Sequence, residues 1–448
     1  MNQFLPKFLS LMLAVAMVAF VAPNGSAADP SIWAPPQLAV LIEEGLAKNQ
    51  DIQSLASQVE SLKAEISFAG SLNDPRIGLG LLNLPTDTFN FDQEPMTQKQ
   101  IFIAQKIPWF GKLDLRSQQA AIKAIHQEAI LNAKRLELSR QIASTYYELG
   151  FVASGQKINE RLINMLTKLL RVSETRYSAG QGLQQDVLQA QVELGKLLDE
   201  QITLDKNRRM LEDQINGLLN RESFIPVTPP ESLKYPDTVL EEKKLQALAL
   251  TMNPWLKVKL AEIDLTGKEI ELARKDYWPD MDFMVAYGQR DDTPTGEDRA
   301  DFLSTSVVMN IPLWQKTRQD KKLGATKLRH KAALQSYQNL VNSLPHKIDA
   351  LVTDIRNLQK NYKLITEALI VQAGQWAQSS LTAYEVGKVN FNTTVNAQIR
   401  LLRFELQSEN YLFNLYKKHA ELEEVLGEPL SSPNPGDHAS HLNKEKTS

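Results

Sequence analysis

The chain has 448 residues with 43% apolar content and only 20 Gly and 21 Pro, enough for two or three ordinary domains and too apolar for a disordered protein. Its 50 Lys plus Arg nearly cancel 53 Asp plus Glu, so a formal net charge of -3 offers no basic field and nucleic acid is excluded as a partner. Cysteine is absent, which removes disulfides, thiolate metal sites and an acylated N-terminal cysteine.

Residues 1–28 read as a cleavable secretory signal peptide: Lys7, an apolar run from Phe8 to Ala22, then small residues ending in Ser26, Ala27 and Ala28. A membrane anchor is the competing reading, but about 15 apolar residues fall short of the roughly 20 that span a bilayer as a helix.

Beyond the signal the chain repeats itself. At an offset of 204, Asn49 falls on Asn253, Pro75 on Pro279, Ile107-Pro108 on Ile311-Pro312 and Lys112 on Lys316. At 207, RYSAGQGLQQDVLQAQ falls on AYEVGKVNFNTTVNAQ, aligning Tyr177 with Tyr384 and Gly180 with Gly387. Duplication at a steady offset predicts two structural repeats, 29–220 and 241–428, a linker over 221–240 and a disordered tail over 429–448.

In each repeat the order is helix, two strands around a polar loop, a very long helix, a break and another long helix. Steps of three and four mark the helices: Ile52, Leu55, Val59, Leu62 and Ile66; then Ile158, Leu162, Met165, Leu169 and Val172; then Val187, Ala190, Leu194 and Leu197; and Ile355, Leu358, Tyr362, Ile365 and Leu369. A helix over 157–220 would run for roughly 95 Å.

The strands show period two. Ile77, Leu79 and Leu81 share a face, as do Ile101, Ile103 and Ile107; the mates are Met281, Phe283, Val285 and Tyr287, then Thr305, Val307 and Ile311. The opposite faces are small or polar. This suits membrane-spanning barrel strands of about ten residues, although two soluble hairpins would show the same alternation. A spanning sheet must close, and four strands cannot, so the chain must oligomerise.

These residues resemble the TolC family of outer-membrane factors over about Gln37 to Pro429. The similarity is carried by R-Y-x-x-G from Arg176 to Gly180 with its weaker copy at Tyr384 to Gly387, by the proline before strands one and three, and by I-P-W/L after strands two and four. NDPRIGLG with PMTQKQIFIAQKIPWFGK looks like the branch serving heavy-metal and cation efflux. The resemblance implies a mainly α fold with a small β part: a homotrimer whose protomers each give four strands to a twelve-stranded barrel in outer-membrane lipid, continued by a helical tunnel in the periplasm. Its implied partners are a periplasmic adaptor of the membrane-fusion type and an inner-membrane efflux pump of the resistance-nodulation-division type. The competing reading is a secreted coiled-coil structural or adhesin protein without a pore.

No nucleophile, base and orienter set, phosphate-cradling loop or zinc helix is present, so neither catalysis nor a cofactor is expected. His438 and His441 lie close together only in the polar tail, which reads as solvated. By position in the family, the periplasmic aperture is expected at helix turns near 150–156 and 354–361. Glu148, Gln156, Asn159, Asp354, Arg356 and Lys360 are the candidates for its bonds. Arg176, Tyr177, Gly180, Tyr384 and Gly387 are expected at a mid-tunnel helix break, because Gly inside a helix costs about 1 kcal/mol.

Overall fold

The computed structural model describes residues 35–230, 233–237 and 239–428. The signal segment over 1–28 and the tail over 429–448, with His438 and His441, lie outside the described residues. The first half runs α1 (Pro36–Lys48), α2 (Gln50–Gly70), β1 (Arg76–Leu82), β2 (Gln98–Ile107), α3 (Lys112–Ser178) and α4 (Gln184–Leu218). The same order returns as α5 (Glu242–Met252), α6 (Pro254–Lys275), β3 (Met281–Gln289), β4 (Phe302–Met309), α7 (Gln319–Leu364), a π-helical turn (Ile365–Leu369), α8 (Ile370–Glu385) and α9 (Phe391–Leu426). Between Lys316 and Tyr384 the second copy has three more residues than the first, and the π turn absorbs part of that insertion without breaking the rod.

The matched asparagines have one job in both halves. Asn49 ends α1 and caps α2, its Oδ1 accepting from the Asp51 and Ile52 amides, while its Nδ2 donates to Leu218 O at 3.0 Å. Asn253 ends α5 and caps α6 through the Leu256 amide, and its Nδ2 donates to Val425 O at 2.8 Å. An Asn can cap one helix start and satisfy the last carbonyls of another, so one residue ties each half's beginning to its end.

Two cores hold the helices. Leu38, Leu41, Ile52 and Val59 pack with Leu138, Ile142, Tyr146 and Leu149 of α3, Ile215 and Leu219 at the end of α4, and Leu412, Phe413 and Tyr416 of α9. Farther along, Ile158, Leu162, Leu166 and Leu169 of α3 meet Ala190 and Leu197 of α4 and Tyr384, Phe391, Val395 and Leu402. These are the three-and-four stripes read from sequence, and each fully buried Leu or Ile contributes about 1.5–3 kcal/mol.

An ion pair locks α1 to the end of the first half. Arg221 grips both carboxylate oxygens of Glu44, at 2.9 Å for Nε and Oε1, and Lys48 adds a contact at 3.1 Å. The Arg221 bonds, working against burial, hold the Glu44 carboxyl down at about 2. A carboxyl depressed in the folded state adds stability above its unfolded value that is lost as pH falls through the folded one. Glu44→Gln is therefore expected to cost about 1 kcal/mol at pH 7 and progressively less from pH 5 toward pH 2, as read by chemical denaturation at each pH. A pH-independent cost would assign the loss to packing.

Candidate functional site

The four strands form one antiparallel sheet in the order β1-β2-β3-β4, so β1 and β4 each leave an unpaired edge. Directly opposed residues share a face. One row is Ile77, Ile103, Val285 and Thr305; the next is Leu79, Ile101, Tyr287 and Leu303. That face is bare: Ile77, Leu79 and Leu303 are 71%, 81% and 73% exposed. The other face carries Gly78, Phe102, Ala286 and Ser304, then Gly80, Gln100, Gly288 and Phe302, then Arg76, Ala104, Met284 and Ser306. It is mostly small or polar, but the phenylalanines depart from the expected pattern. Phe102 lies across Gly78, where a Cβ would stand 2.3 Å from its ring, and Phe302 lies under Arg290 at 4.2 Å. Both rings are half-buried within the protomer.

At the other end of the strands the loops 83–97 and 290–301 are tied together. Lys99 pairs with Asp291 at 2.9 Å, and Arg290 and Arg299 donate to the carbonyls of Pro95 and Glu94. The first loop holds three carboxylates and no Lys or Arg; the second holds five against two arginines.

Where strands give way to helices, the I-P-W element after β2 meets the residues on either side of Pro279, the proline before β3. Trp109 stacks on Trp278 at 4.9 Å, and Lys112, its side chain 4% exposed, pairs with Asp280 at 2.8 Å and donates to Trp278 O at 3.2 Å. Asp280 also accepts from the Trp109 amide at 2.9 Å. Burial alone would raise the Asp280 carboxyl, but the bonds from Lys112 and Trp109 leave it below the usual carboxylate range.

The helix reversals are not where the sequence placed them. α3 passes unbroken through 150–156, and α7 through 354–361. Gly150 is in α3 for close approach rather than turning: a Cβ there would lie 2.4 Å from Phe413 Cε1 and 2.6 Å from Pro230 Cγ. Correspondingly, no single rod spans 157–220, because α3 ends at Ser178 and α4 begins at Gln184.

Instead the chain turns at Gly180 and Gly387, with φ of +70° and +74°. The Gly180 amide donates to Tyr177 O at 3.0 Å and the Gln181 amide to Arg176 O at 2.8 Å; Gly387 to Tyr384 O and Lys388 to Ala383 O repeat both distances. This pair of bonds with Gly in the left-handed region is the Schellman stop, so the motif ends a helix outright. α3 has 67 residues, which puts Gly180 roughly 100 Å from Lys112, at the far end of the rod from the sheet rather than halfway along it.

The six aperture candidates therefore sit within helices, and five of them make contacts inside the protomer. Glu148 pairs with Lys417 of α9, and Asp354 with Lys418 at 3.2 Å. Gln156 Nε2 donates to Asp205 at 2.6 Å; buried Asn159 donates to Leu197 O at 2.9 Å and Gln201 at 3.1 Å. Arg356 reaches Glu242 at 2.5 Å and Leu240 O at 2.9 Å, and Lys360 is exposed on α7.

Sequence reading missed a second stripe on α4. Leu188, Val192, Leu198, Ile202 and Met210 stand 49–69% exposed. Their mates at offset 207 on α9 are Val395, Ile399, Glu405, Glu409 and Lys417. The last three are bonded to α3, through Arg161, Ser154 and Glu148 respectively. The signal was present in the repeat: apolar residues stand in one copy where the other has charges.

Among the described residues no helix is long and apolar enough to cross a membrane, and no group of three His, Asp or Glu side chains could hold a metal. No curated protein matches the chain. Its fold is similar to that of the outer-membrane channel OprN (17% identity, TM-score 0.75, 89% of this chain and 93% of that one). It is also similar to VceC from Vibrio cholerae (17%, 0.71, 88% and 97%) and CusC (14%, 0.71, 89% and 94%). The family model described as outer membrane efflux protein matches residues 41–221 and 245–428. With both repeats matched and the sheet and rods in place, the chain belongs to the outer membrane efflux protein family and has the fold of TolC-like channels, a helical tunnel with a β-barrel portion.

Proposed function

We propose that the protein is the outer-membrane channel subunit of a tripartite efflux system: a passive conduit rather than an enzyme, working as a homotrimer with a periplasmic adaptor and an inner-membrane pump of the resistance-nodulation-division type. The observation that carries this reading is the sheet with two free edges and a bare apolar face. Backbone groups in hydrocarbon must all be paired, so such a sheet is stable only when neighbouring subunits close it.

The duplication supplies the closing register. Carrying the β2–β3 pairing by 204 residues sets Val307 against Leu81, Met309 against Leu79 and Ile311 against Ile77 of the next subunit. All of these lie on the apolar face, so the lipid-facing band continues across the seam. Along the tunnel the same operation packs α4 against the preceding subunit's α7 and α8, which covers the exposed α4 stripe. Protein extracted in detergent should therefore have the mass of a trimer. A stable membrane-inserted monomer would overturn the channel reading, and a soluble periplasmic monomer would favour the coiled-coil adhesin.

In this arrangement loops 83–97 and 290–301 face the exterior. Cysteines introduced at Thr88 and Thr295 should react with an impermeant thiol reagent on intact cells; labelling only after lysis would reverse the orientation. The loops' excess of carboxylates, tripled by symmetry, favours cations at the mouth. That agrees with heavy-metal cations as the exported cargo, with drugs as the alternative. The aperture belongs at the reversals around Gly180 and Gly387, the rod ends farthest from the sheet. Glu148, Gln156, Asn159, Asp354 and Arg356 fasten the helices of the shaft.

A further inference from the structure

We infer that the periplasmic rim of the barrel binds the phosphodiester of an anionic phospholipid, at one site per protomer formed by Arg274 and Lys275 of α6 and Arg318 at the start of α7. The inference rests on the trimeric channel reading above.

The two ends of the sheet carry opposite charge. Loops 83–97 and 290–301 hold eight carboxylates against two arginines. Where strands meet helices at the other end, residues 274–276 and 316–322 hold six Lys or Arg against Asp276 and Asp320. Asp276 is taken by Lys322 at 2.6 Å and by Lys112 at 3.7 Å, and Asp320 accepts from the Tyr277 hydroxyl. Arg274, Lys275 and Arg318 are left without an ion pair among the described residues. These cations belong to the second repeat alone: at offset 204 the first has Gly70, Ser71 and Asp114 in their places.

They stand on the outer side of the tunnel wall. Pro230 of the linker closes on α3 at Gly150, and α1 and the end of α4 pack beside it. A conduit keeps its bore clear, so this added layer lies outside the rods. Asp114 precedes Gly150 by 36 residues, ten helical turns, and so points outward as well. Arg274 and Lys275 line a hollow of about 370 Å³ with it, and Arg318 takes its place on α7. In that hollow Lys268 is paired with Glu271 at 3.1 Å and Asp114 accepts from Gln118 at 2.8 Å, which leaves the other two cations for an anion.

Toward the sheet the surface turns apolar. Trp278, Leu313 and Trp314 are 53%, 72% and 72% exposed and continue the bare face of the strands. Tryptophan beside basic residues marks the level of lipid head groups. A guanidinium offers paired N–H donors that match the free oxygens of a phosphodiester. A zwitterionic head group brings its own cation, which this site repels.

Trimer in detergent, titrated with phosphatidylglycerol and followed by native mass spectrometry, should take up three lipids more tightly than any further ones and more tightly than phosphatidylcholine. Arg274→Gln with Arg318→Gln should weaken that uptake about twenty-five-fold, a factor of about five for each basic residue at a lipid surface, with the trimer mass unchanged. Lys275→Gln alone should give the single factor. Lys157→Gln with Lys168→Gln, on exposed positions of the shaft, removes the same charge and should change nothing. Equal affinity for the two lipids, undiminished uptake by the rim variants or an equal loss in the shaft variant overturns the inference. Soluble glycerol phosphate binding as tightly as phosphatidylglycerol would make this a site for free phosphate esters and overturn it too. A monomeric mass before any lipid is added would instead sink the channel reading.

Discussion

Aspartate at both Leu198 and Ile202 leaves the detergent-extracted protein monomeric. The two side chains are 49% and 69% exposed in the protomer, one turn apart on the α4 stripe. In the proposed trimer each would be covered by the preceding subunit's α7 and α8. Burying a Leu or Ile is worth about 1.5–3 kcal/mol, so two at each of three seams supply on the order of 10 kcal/mol of assembly free energy. The substitution also buries carboxylates without partners, which costs several kcal/mol more per seam. Light scattering should report the monomer mass, while far-UV circular dichroism stays unchanged because the α3–α4 contact uses Ala190, Leu194 and Leu197 on another face. A persistent trimer would mean that the stripe faces solvent or a different protein.

Removing the buried cation at the strand–helix junction has the second-largest effect. Lys112→Met should cost about 3–5 kcal/mol, the usual result of taking one partner from a buried pair. Asp280 would keep its Trp109 amide but lose the cation that offsets its burial. Its carboxyl is depressed in the native protein, so the pair's contribution is present above the unfolded carboxylate value and is lost as pH falls through the folded one. The gap between native and Lys112→Met should accordingly be widest near neutral pH and narrow on acidification, as measured by thermal unfolding in detergent. Lys316, the repeat mate, is exposed in the protomer, and Lys316→Met should shift stability within about 0.5 kcal/mol. Equal losses for the two would indicate that Lys316 is buried on assembly.

Much of the fold was legible because its signals are local. Period-two alternation at Ile77, Leu79 and Leu81 needs only strand geometry, and the three-and-four spacing at Ile158, Leu162 and Leu169 needs only a helix with a neighbour. The duplication then carried each assignment to the other half. The points at which the chain reverses direction were not legible in the same way. Gly150 and Gly180 are both glycines near polar residues, and sequence alone does not separate a glycine that admits Phe413 from one that takes φ of +70°. The distinguishing fact for Gly150 is a side chain more than 250 residues away.

By itself, then, the sequence determined the repeat, the type of each element and the apolar face of the strands, and it led to the expectation of several copies. These follow from covalent periodicity and from the rule that backbone in hydrocarbon must be paired. Only the tertiary structure decided where the rods reverse, which α4 stripe is left without a neighbour, and that Arg176 clasps Tyr384 while Ala383 clasps nothing. Those depend on which distant surfaces meet, and a contact between residues 176 and 384 leaves no periodic trace in the chain around either one.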